Sequence, residues 1–203
     1  MSEVIYKVKQ IIGITGGIAS GKSNVCSIVM DYGYPVIDCD KISHDLSIVG
    51  KALYNAIIDS FGKVYLDKYN NLDRKKLGNL IYHDSAAREK LNQITHPIIK
   101  DELIRQIEAL NSEIVFIEVP LLYESGFDEL CDYVICVYLP KEIQIKRLMA
   151  RERINEAYAI AKINSQMGLE EKRTRADFVV DSRGTFDETE SQVFDIIKKV
   201  KGV

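Results

Sequence analysis

Residues 10–23 read Gln-Ile-Ile-Gly-Ile-Thr-Gly-Gly-Ile-Ala-Ser-Gly-Lys-Ser, a short apolar run followed by a glycine-rich segment. Residues 10–15 are mostly apolar and β-branched, which is typical of a buried strand. Residues 16–23 fit the pattern G-x-x-x-x-G-K-[ST] in full, and apolar residues at helical spacing follow them. A strand, a glycine-rich turn and a helix in this order predict a phosphate-binding P-loop.

The residue types of this loop suit the binding of a nucleoside triphosphate. Glycines let the backbone curl so that several N–H groups point at phosphate oxygens. Lys22 is expected to reach the β and γ phosphates, and the Ser23 hydroxyl to bind Mg²⁺. The helix that begins near Lys22 adds its positive N-terminal end. We therefore predict that a nucleoside triphosphate and Mg²⁺ bind at Gly16, Gly17, Ile18, Ala19, Ser20, Gly21, Lys22 and Ser23.

Strands and helices alternate along the rest of the chain, which predicts an α/β fold. The near-continuous apolar runs favour a parallel sheet that is covered on both faces. Strands are predicted at residues 10–15, 35–38, 113–118, 133–138 and 178–181. Helices are predicted at residues 22–32, 51–61, 72–94, 141–153, 155–167 and 186–200, and Thr95-His96-Pro97 is read as the start of another that ends near Leu110.

These elements predict one three-layer P-loop kinase domain with a five-stranded parallel sheet. Its core is expected to comprise about residues 1–42, 111–140 and 176–203. The mainly helical residues 43–110 are interpreted as a substrate-binding insertion. The basic region from about residue 141 to 175 is interpreted as a helical lid, although a solvated helical face is the plainer interpretation of its charges.

Composition narrows the function classes. The 203 residues carry a net charge of −3, which does not favour a duplex nucleic-acid binder. None of the four cysteines forms a C-x-x-C pair, so a zinc site is not expected. Residues 1–9 lack a signal-peptide pattern, and no apolar run is long enough for a membrane span. We expect a cytoplasmic protein, with a monomer favoured, that contacts neither membrane nor nucleic acid.

A P-loop also occurs in hydrolytic GTPase switches, which are the alternative from another class. Those proteins need the guanine-reading pattern N-K-x-D, and this sequence does not contain it. The pattern D-x-x-G occurs twice, at Asp59 and at Asp181, but neither occurrence follows the strand expected of a switch region. A small kinase is favoured over a switch.

A small kinase needs an acid near the acceptor hydroxyl and mobile arginines over the transferred group. Asp40 follows the second predicted strand, whose carboxyl end is where such sheets bind ligands. The structural alternative for Asp40 is a helix N-cap. Arg147 and Arg151 are four residues apart and share one helix face, which suits either a lid or a plain exposed helix.

Along nearly its whole length the chain resembles the dephospho-coenzyme A kinase family. The P-loop is shared by many families, whereas the other segments, in this order and spacing, are far more specific. The resemblance rests on Ile12 to Ser23, Val36-Ile-Asp-Cys-Asp40, Thr95-His-Pro-Ile-Ile99, Val119-Pro-Leu-Leu-Tyr-Glu124, Gln144-Ile-Lys-Arg-Leu148 with Arg151, and Ala176-Asp-Phe-Val-Val-Asp-Ser-Arg-Gly184.

The resemblance implies transfer of the ATP γ-phosphoryl group to the ribose 3′-hydroxyl of dephospho-coenzyme A. ADP and coenzyme A are the implied products, in the last step of coenzyme A synthesis. Asp40 matches the catalytic base, and Arg147 and Arg151 match the lid arginines. The acceptor-binding side is matched by His96, Pro97, Pro120, Leu121, Leu122, Tyr123 and Glu124.

Two residues depart from the family pattern. Lys162 stands where an arginine is common in the lid, so the charge is kept but the bidentate fork is lost. Ser182 stands where an asparagine is common near the adenine, and we assign it to ATP binding. The runner-up activity is a P-loop kinase of another small acceptor, such as a nucleoside monophosphate.

Overall fold

The structure, a computed structural model, describes residues 9–202. The prediction that residues 1–9 lack a signal peptide therefore concerns residues that, apart from residue 9, lie outside the described part of the chain. Within residues 9–202, no helix is both long and apolar enough to cross a membrane.

Five strands form the parallel sheet predicted from the apolar runs. They are β1 (Gln10–Gly16), β2 (Val36–Asp38), β3 (Ile114–Glu118), β4 (Tyr133–Tyr138) and β5 (Phe178–Asp181). Their order across the sheet is β2-β3-β1-β4-β5, so β1 is central. Its register with β4 pairs Gly16 with Val137, and the P-loop therefore begins beside the end of β4.

The described chain divides into two compact units, one formed by Asp38–Ala109 and the other by the rest of the described chain. The sheet unit contains α1 (Lys22–Asp31), α6 (Lys141–Glu152), α7 (Glu156–Asn164), α8 (Leu169–Arg175) and α9 (Phe186–Lys201). The helical unit contains α2 (Cys39–Leu46), α3 (Ala52–Phe61), α4 (Arg74–His83) and α5 (Ser85–Ala109).

The core of the sheet unit lies between the strands and the pair α1 and α9. Val25 and Val29 of α1 and Val193 of α9 are fully buried against Ile12 and Ile14 of β1. Such burial stabilises each side chain by about 1.5–3 kcal/mol relative to exposure. The helical unit has a core of its own around Leu53, Ile57 and Leu77.

The helix prediction for residues 72–94 was wrong in one respect, because the structure ends α4 at His83 and starts α5 at Ser85. Asp84 between them has an extended backbone, and its side chain accepts the N–H of Ala87 at 3.0 Å. The break is therefore stabilised by the capping that short polar side chains provide.

The predicted helix start at residues 95–97 was also wrong, because α5 runs without interruption from Ser85 through Pro97 to Ala109. A proline inside a helix removes one hydrogen bond and crowds the carbonyl four residues earlier. Here that carbonyl belongs to Gln93, and both Gln93 and Pro97 are exposed. Neighbouring Ile98 and Ile99 pack on the core of the helical unit, which keeps the helix continuous.

Candidate functional site

The P-loop connects the end of β1 to the start of α1. Gly21 is the N-cap of α1 and has φ 95°, a left-handed conformation that glycine adopts without strain. No side chain caps this helix, so its first N–H groups and its positive end remain available to an anion.

Lys22 and Ser23 lie in the first turn of α1. The Lys22 ammonium donates to the carbonyls of Gly16 at 3.3 Å and Gly17 at 3.1 Å, which folds the side chain over the loop. The Ser23 residue is exposed. A cation above the loop and an exposed hydroxyl at the helix start are the residue types that suit phosphate oxygens and a hard cation.

The loop is packed so tightly that two of its glycines have no room for a side chain. A Cβ at Gly16 would stand 2.6 Å from the carbonyl oxygen of Val137, and one at Gly17 would stand 2.5 Å from Gln144 Oε1. Gln144 is buried, and its amide nitrogen donates to the Leu139 carbonyl at 2.7 Å. The pattern of glycines is therefore required by packing as well as by phosphate binding.

Ser182, which directly follows β5, contacts this loop. Its hydroxyl lies 2.5 Å from the carbonyl oxygen of Ser20 and 3.1 Å from that of Tyr138. Both Ser20 and Ser182 are buried. The residue assigned from sequence to ATP binding thus contacts the P-loop backbone, which no periodicity in the sequence indicates.

Of the two predicted lid arginines, Arg147 is the one that reaches the P-loop. Its Nη2 donates to the Ser182 carbonyl at 3.2 Å, and its Nη1 lies 3.9 Å from the position of a Cβ at Gly21. The guanidinium therefore stands at the start of α1.

Arg151 is engaged elsewhere, in an ion pair with Glu152 at 3.0 Å. Glu152 also pairs with Lys162, the lysine at the family's arginine position. The hydrogen bonds from Lys162 and Arg151 lower the pKa of the Glu152 carboxyl below its usual value. In this conformation, one carboxylate holds two of the cations expected to face phosphate.

A turn at residues 120–126 follows β3 and contains five of the predicted acceptor-binding residues, Pro120 to Glu124. Leu122 is fully buried, Leu121 is exposed, and burial raises the pKa of Tyr123 to about 12. The guanidinium carbon of Arg175 lies 4.1 Å from the centre of the Tyr123 ring. Turn 120–126 thus has an anchored leucine beside an exposed one, as expected if it serves both the core and a ligand.

Glu118 is the last residue of β3 and has a carboxylate near the P-loop helix. The Cys26 thiol lies 3.4 Å from Glu118 Oε2. Cys26 is three residues beyond Ser23 on α1, so the carboxylate lies near the start of that helix. Hydroxyl and carboxylate oxygens are the donors that Mg²⁺ prefers, and the residues present fit such an ion.

A cavity of about 410 Å³ opens beside the loop in the sheet unit. Gly17 and Ile18 of the P-loop line one side, and Gln144 of α6 and Met167 line another. A small-molecule ligand of a kinase requires a concave space of this order next to the phosphate site.

Asp40, His96 and Pro97 belong to the helical unit. Asp38 is the N-cap of α2, because its side chain accepts the N–H of Lys41 at 3.0 Å. The N-cap position, which was the structural alternative for Asp40, is therefore occupied by Asp38. Asp40 is exposed in the first turn of α2. Partial burial lowers the pKa of His96 in α5 below its usual value.

Sequence reasoning missed Lys172 of α8, whose side chain is fully buried and contacts turn 120–126. Its segment, Leu-Glu-Glu-Lys-Arg-Thr-Arg, has the composition of a solvated helix. Nothing in that pattern distinguishes the buried lysine from its charged neighbours.

Comparison with known proteins gives one consistent result. A dephospho-CoA kinase family model matches residues 10–188. The dephospho-CoA kinase of Enterococcus faecalis is 42% identical over 91% of this chain and 94% of its own. That of Lactobacillus johnsonii is 38% identical over 93% of this chain and 97% of its own.

Solved structures agree with these sequence matches. A Thermus thermophilus protein, TT1252, has a TM-score of 0.84 and 29% identity, with 95% of this chain and 98% of its own covered. Dephospho-CoA kinase from Campylobacter jejuni has a TM-score of 0.69 and 32% identity, with 96% and 99% covered. Shikimate kinase from Acinetobacter baumannii shares the fold alone, with a TM-score of 0.54 and 13% identity. The chain belongs to the dephospho-CoA kinase family.

Proposed function

We propose that this protein transfers the γ-phosphoryl group of ATP to the ribose 3′-hydroxyl of dephospho-CoA, giving ADP and CoA in the last step of CoA synthesis. The observation that carries this proposal is the family match over residues 10–188. It is supported by a P-loop whose helix start has no side-chain cap and is overlaid by a lysine and an arginine.

The phosphate site acts by charge and position. Backbone N–H groups of residues 16–23 and the Lys22 ammonium hold the β and γ phosphates of ATP. We assign the divalent metal of the reaction as Mg²⁺, which the Ser23 hydroxyl and the Glu118 carboxylate would hold. When bound, the ion supplies positive charge against the phosphate oxygens.

Asp40 is the proposed general base. It accepts the proton of the acceptor 3′-hydroxyl as the oxygen bonds to the γ-phosphorus, and the bond from that phosphorus to the ADP oxygen breaks. Because phosphoryl transfer has a loose transition state, an ordinary ionised carboxylate is sufficient when it is well oriented. The exposure of Asp40 is compatible with this role.

The lid arginines are proposed to neutralise the transferred group. Arg147 already stands at the P-loop, whereas Arg151 must leave Glu152 to reach a phosphate. We propose that residues 141–175 contain this lid, and we assign acceptor binding to residues 120–124 and to His96 and Pro97. The monomeric state and the cytoplasmic location stay predictions from sequence.

The testing experiment is ADP release from purified protein with MgATP, comparing dephospho-CoA with several nucleoside monophosphates and with no acceptor. Rapid release only with dephospho-CoA, matched by an equal amount of CoA, is expected. Turnover only with another acceptor would support a kinase but would exclude dephospho-CoA as its substrate. Slow ADP release that does not depend on the acceptor would indicate a hydrolytic switch. Lys22→Ala serves as the inactive control.

A further inference from the structure

Lys172 is a fully buried lysine between α8 and turn 120–126. Its ammonium donates to the carbonyl oxygen of Pro120 at 2.7 Å and pairs with Glu124 Oε1 at 2.9 Å. None of its side chain is exposed. The two acceptors lie at either end of a five-residue stretch, so one cation holds both ends.

Both acceptors are also bonded to other parts of the sheet unit. The Pro120 carbonyl accepts the hydroxyl of Thr15, which directly precedes Gly16 of the P-loop, at 3.2 Å. Glu124 Oε1 accepts the N–H of Met167 at 2.9 Å. Lys172 therefore completes a hydrogen-bonded link from Thr15, just before the P-loop, through turn 120–126, to Met167, two residues before α8.

Packing alone does not require a charge at this position. Taking an ammonium out of water costs several kcal/mol before its partners offset the loss, and an apolar side chain of similar length avoids that cost. The ammonium instead adds two directional bonds, and bonds to charged groups are among the stronger ones in proteins. Its effect is to fix where the turn stands relative to the P-loop.

We propose that Lys172 is a positioning residue for the phosphoryl acceptor, acting through turn 120–126. This inference rests on the proposed function, because it takes residues 120–124 to bind the acceptor. Phosphoryl transfer depends on alignment of the attacking oxygen with the γ-phosphorus, and a displacement of about 1 Å costs about 10²-fold in rate.

The decisive variant is Lys172→Met, which keeps the length of the side chain and removes the cation. We expect the kcat/KM for dephospho-CoA to fall about 10²-fold, with the KM for ATP changed less than about twofold, because the loop itself is held by separate contacts. Lys198→Met on α9 is the matched control, since it removes an exposed lysine paired with Asp195, and it should leave both constants unchanged. Equal loss for both substrates would overturn the proposal.

A purely structural role of Lys172 predicts a different result when Glu124 is also changed to Gln. If Lys172 only compensates the charge of Glu124, then Glu124→Gln combined with Lys172→Met should be as active as Glu124→Gln alone. A positioning role predicts that the double variant is at least about tenfold less active on the acceptor, because the bond to Pro120 is still lost. Thermal unfolding of all three variants separates recovered stability from recovered turnover.

Hydrogen exchange without any substrate tests the link independently of the acceptor's identity. In Lys172→Met, the amides of Ser125 and Phe127, which bond back to Leu121 and Leu122, should exchange faster, as should Met167. Unchanged exchange there would overturn the positioning role even if dephospho-CoA is the substrate. If exchange rises in Lys172→Met but the wild-type protein does not phosphorylate dephospho-CoA, then Lys172 does hold the turn. In that case only the proposed function is wrong.

Discussion

Arg147 donates a hydrogen bond to the carbonyl of Ser182, the same residue whose hydroxyl bonds to the Ser20 carbonyl of the P-loop. Arg147, a proposed lid residue, and the phosphate loop are thus connected through one serine. This arrangement holds the Arg147 guanidinium at the start of α1 through protein contacts alone, and a cation that is already in place needs little rearrangement at the moment of reaction.

Arg147→Met should therefore lower kcat by about 10²–10³-fold, because a preorganised cation is lost from the transferred group. Arg151→Met should cost less, since Arg151 is engaged with Glu152 in this conformation. Steady-state ADP release gives both values. A larger loss for Arg151 than for Arg147 would contradict the assignment of Arg147 as the preorganised member.

Glu152→Gln should strengthen ATP binding by about twofold to fivefold. We propose that the carboxylate competes with phosphate for Arg151 and Lys162, and partly exposed ion pairs of this kind are individually weak. The effect should shrink as salt is raised, because salt screens exposed charges. Titration with ATP at low and high ionic strength measures it, and weaker ATP binding in the variant would contradict competition by Glu152.

Asp40→Asn should retain ATP binding while kcat falls by about 10²–10⁴-fold, the usual contribution of a positioned base. Asp38→Asn is the matched control, because it makes the same chemical change two residues away and asparagine also caps helices well. Its kcat should fall far less. Normal kcat in Asp40→Asn would remove Asp40 from the mechanism.

Gly16→Ala and Gly78→Ala should change stability in opposite directions. The first places a Cβ 2.6 Å from the Val137 carbonyl oxygen, which is backbone and cannot give way, so we expect about 1–3 kcal/mol of destabilisation. The second lies in α4 with open space around it and should stabilise by about 0.5–1 kcal/mol. Chemical denaturation measures both, and equal stability in Gly16→Ala would show that the loop relaxes.

Stability should depend on pH through His96. Burial lowers the pKa of its imidazole in the folded protein, so as the pH falls the unfolded chain binds a proton before the folded one does. The contribution of His96 is therefore present above about pH 6.5, the usual histidine pKa, and is lost as the pH falls through the lowered folded value.

His96→Asn should flatten the decline of the unfolding free energy between about pH 7 and pH 5. His83→Asn, which removes an exposed histidine of the same unit, is the matched control. Denaturant titrations at several pH values give the comparison. The same decline in wild type and His96→Asn would assign the pH dependence to other groups.

Much of the fold could be predicted because the sequence patterns that indicate its strands and helices each span only a short stretch of chain. The strands at residues 133–138 and 178–181 were predicted at the observed bounds, and α1, α6 and α9 within about one residue of theirs. The continuous α5 was not predicted, because Pro97 is a strong local signal for a helix start. The packing of Ile98 and Ile99 on the core of the helical unit outweighs that local preference.

The amino-acid sequence alone determined the P-loop, the order of the strands along the chain, and the family, since glycine spacing, apolar runs and motif order are properties of short windows. Tertiary structure decided which charged groups are buried and what they hold. Lys172 contacts Pro120 from 52 residues away, and Ser182 contacts Ser20 from 162 residues away. Such contacts depend on how the elements pack in three dimensions, and a local pattern carries no record of that packing.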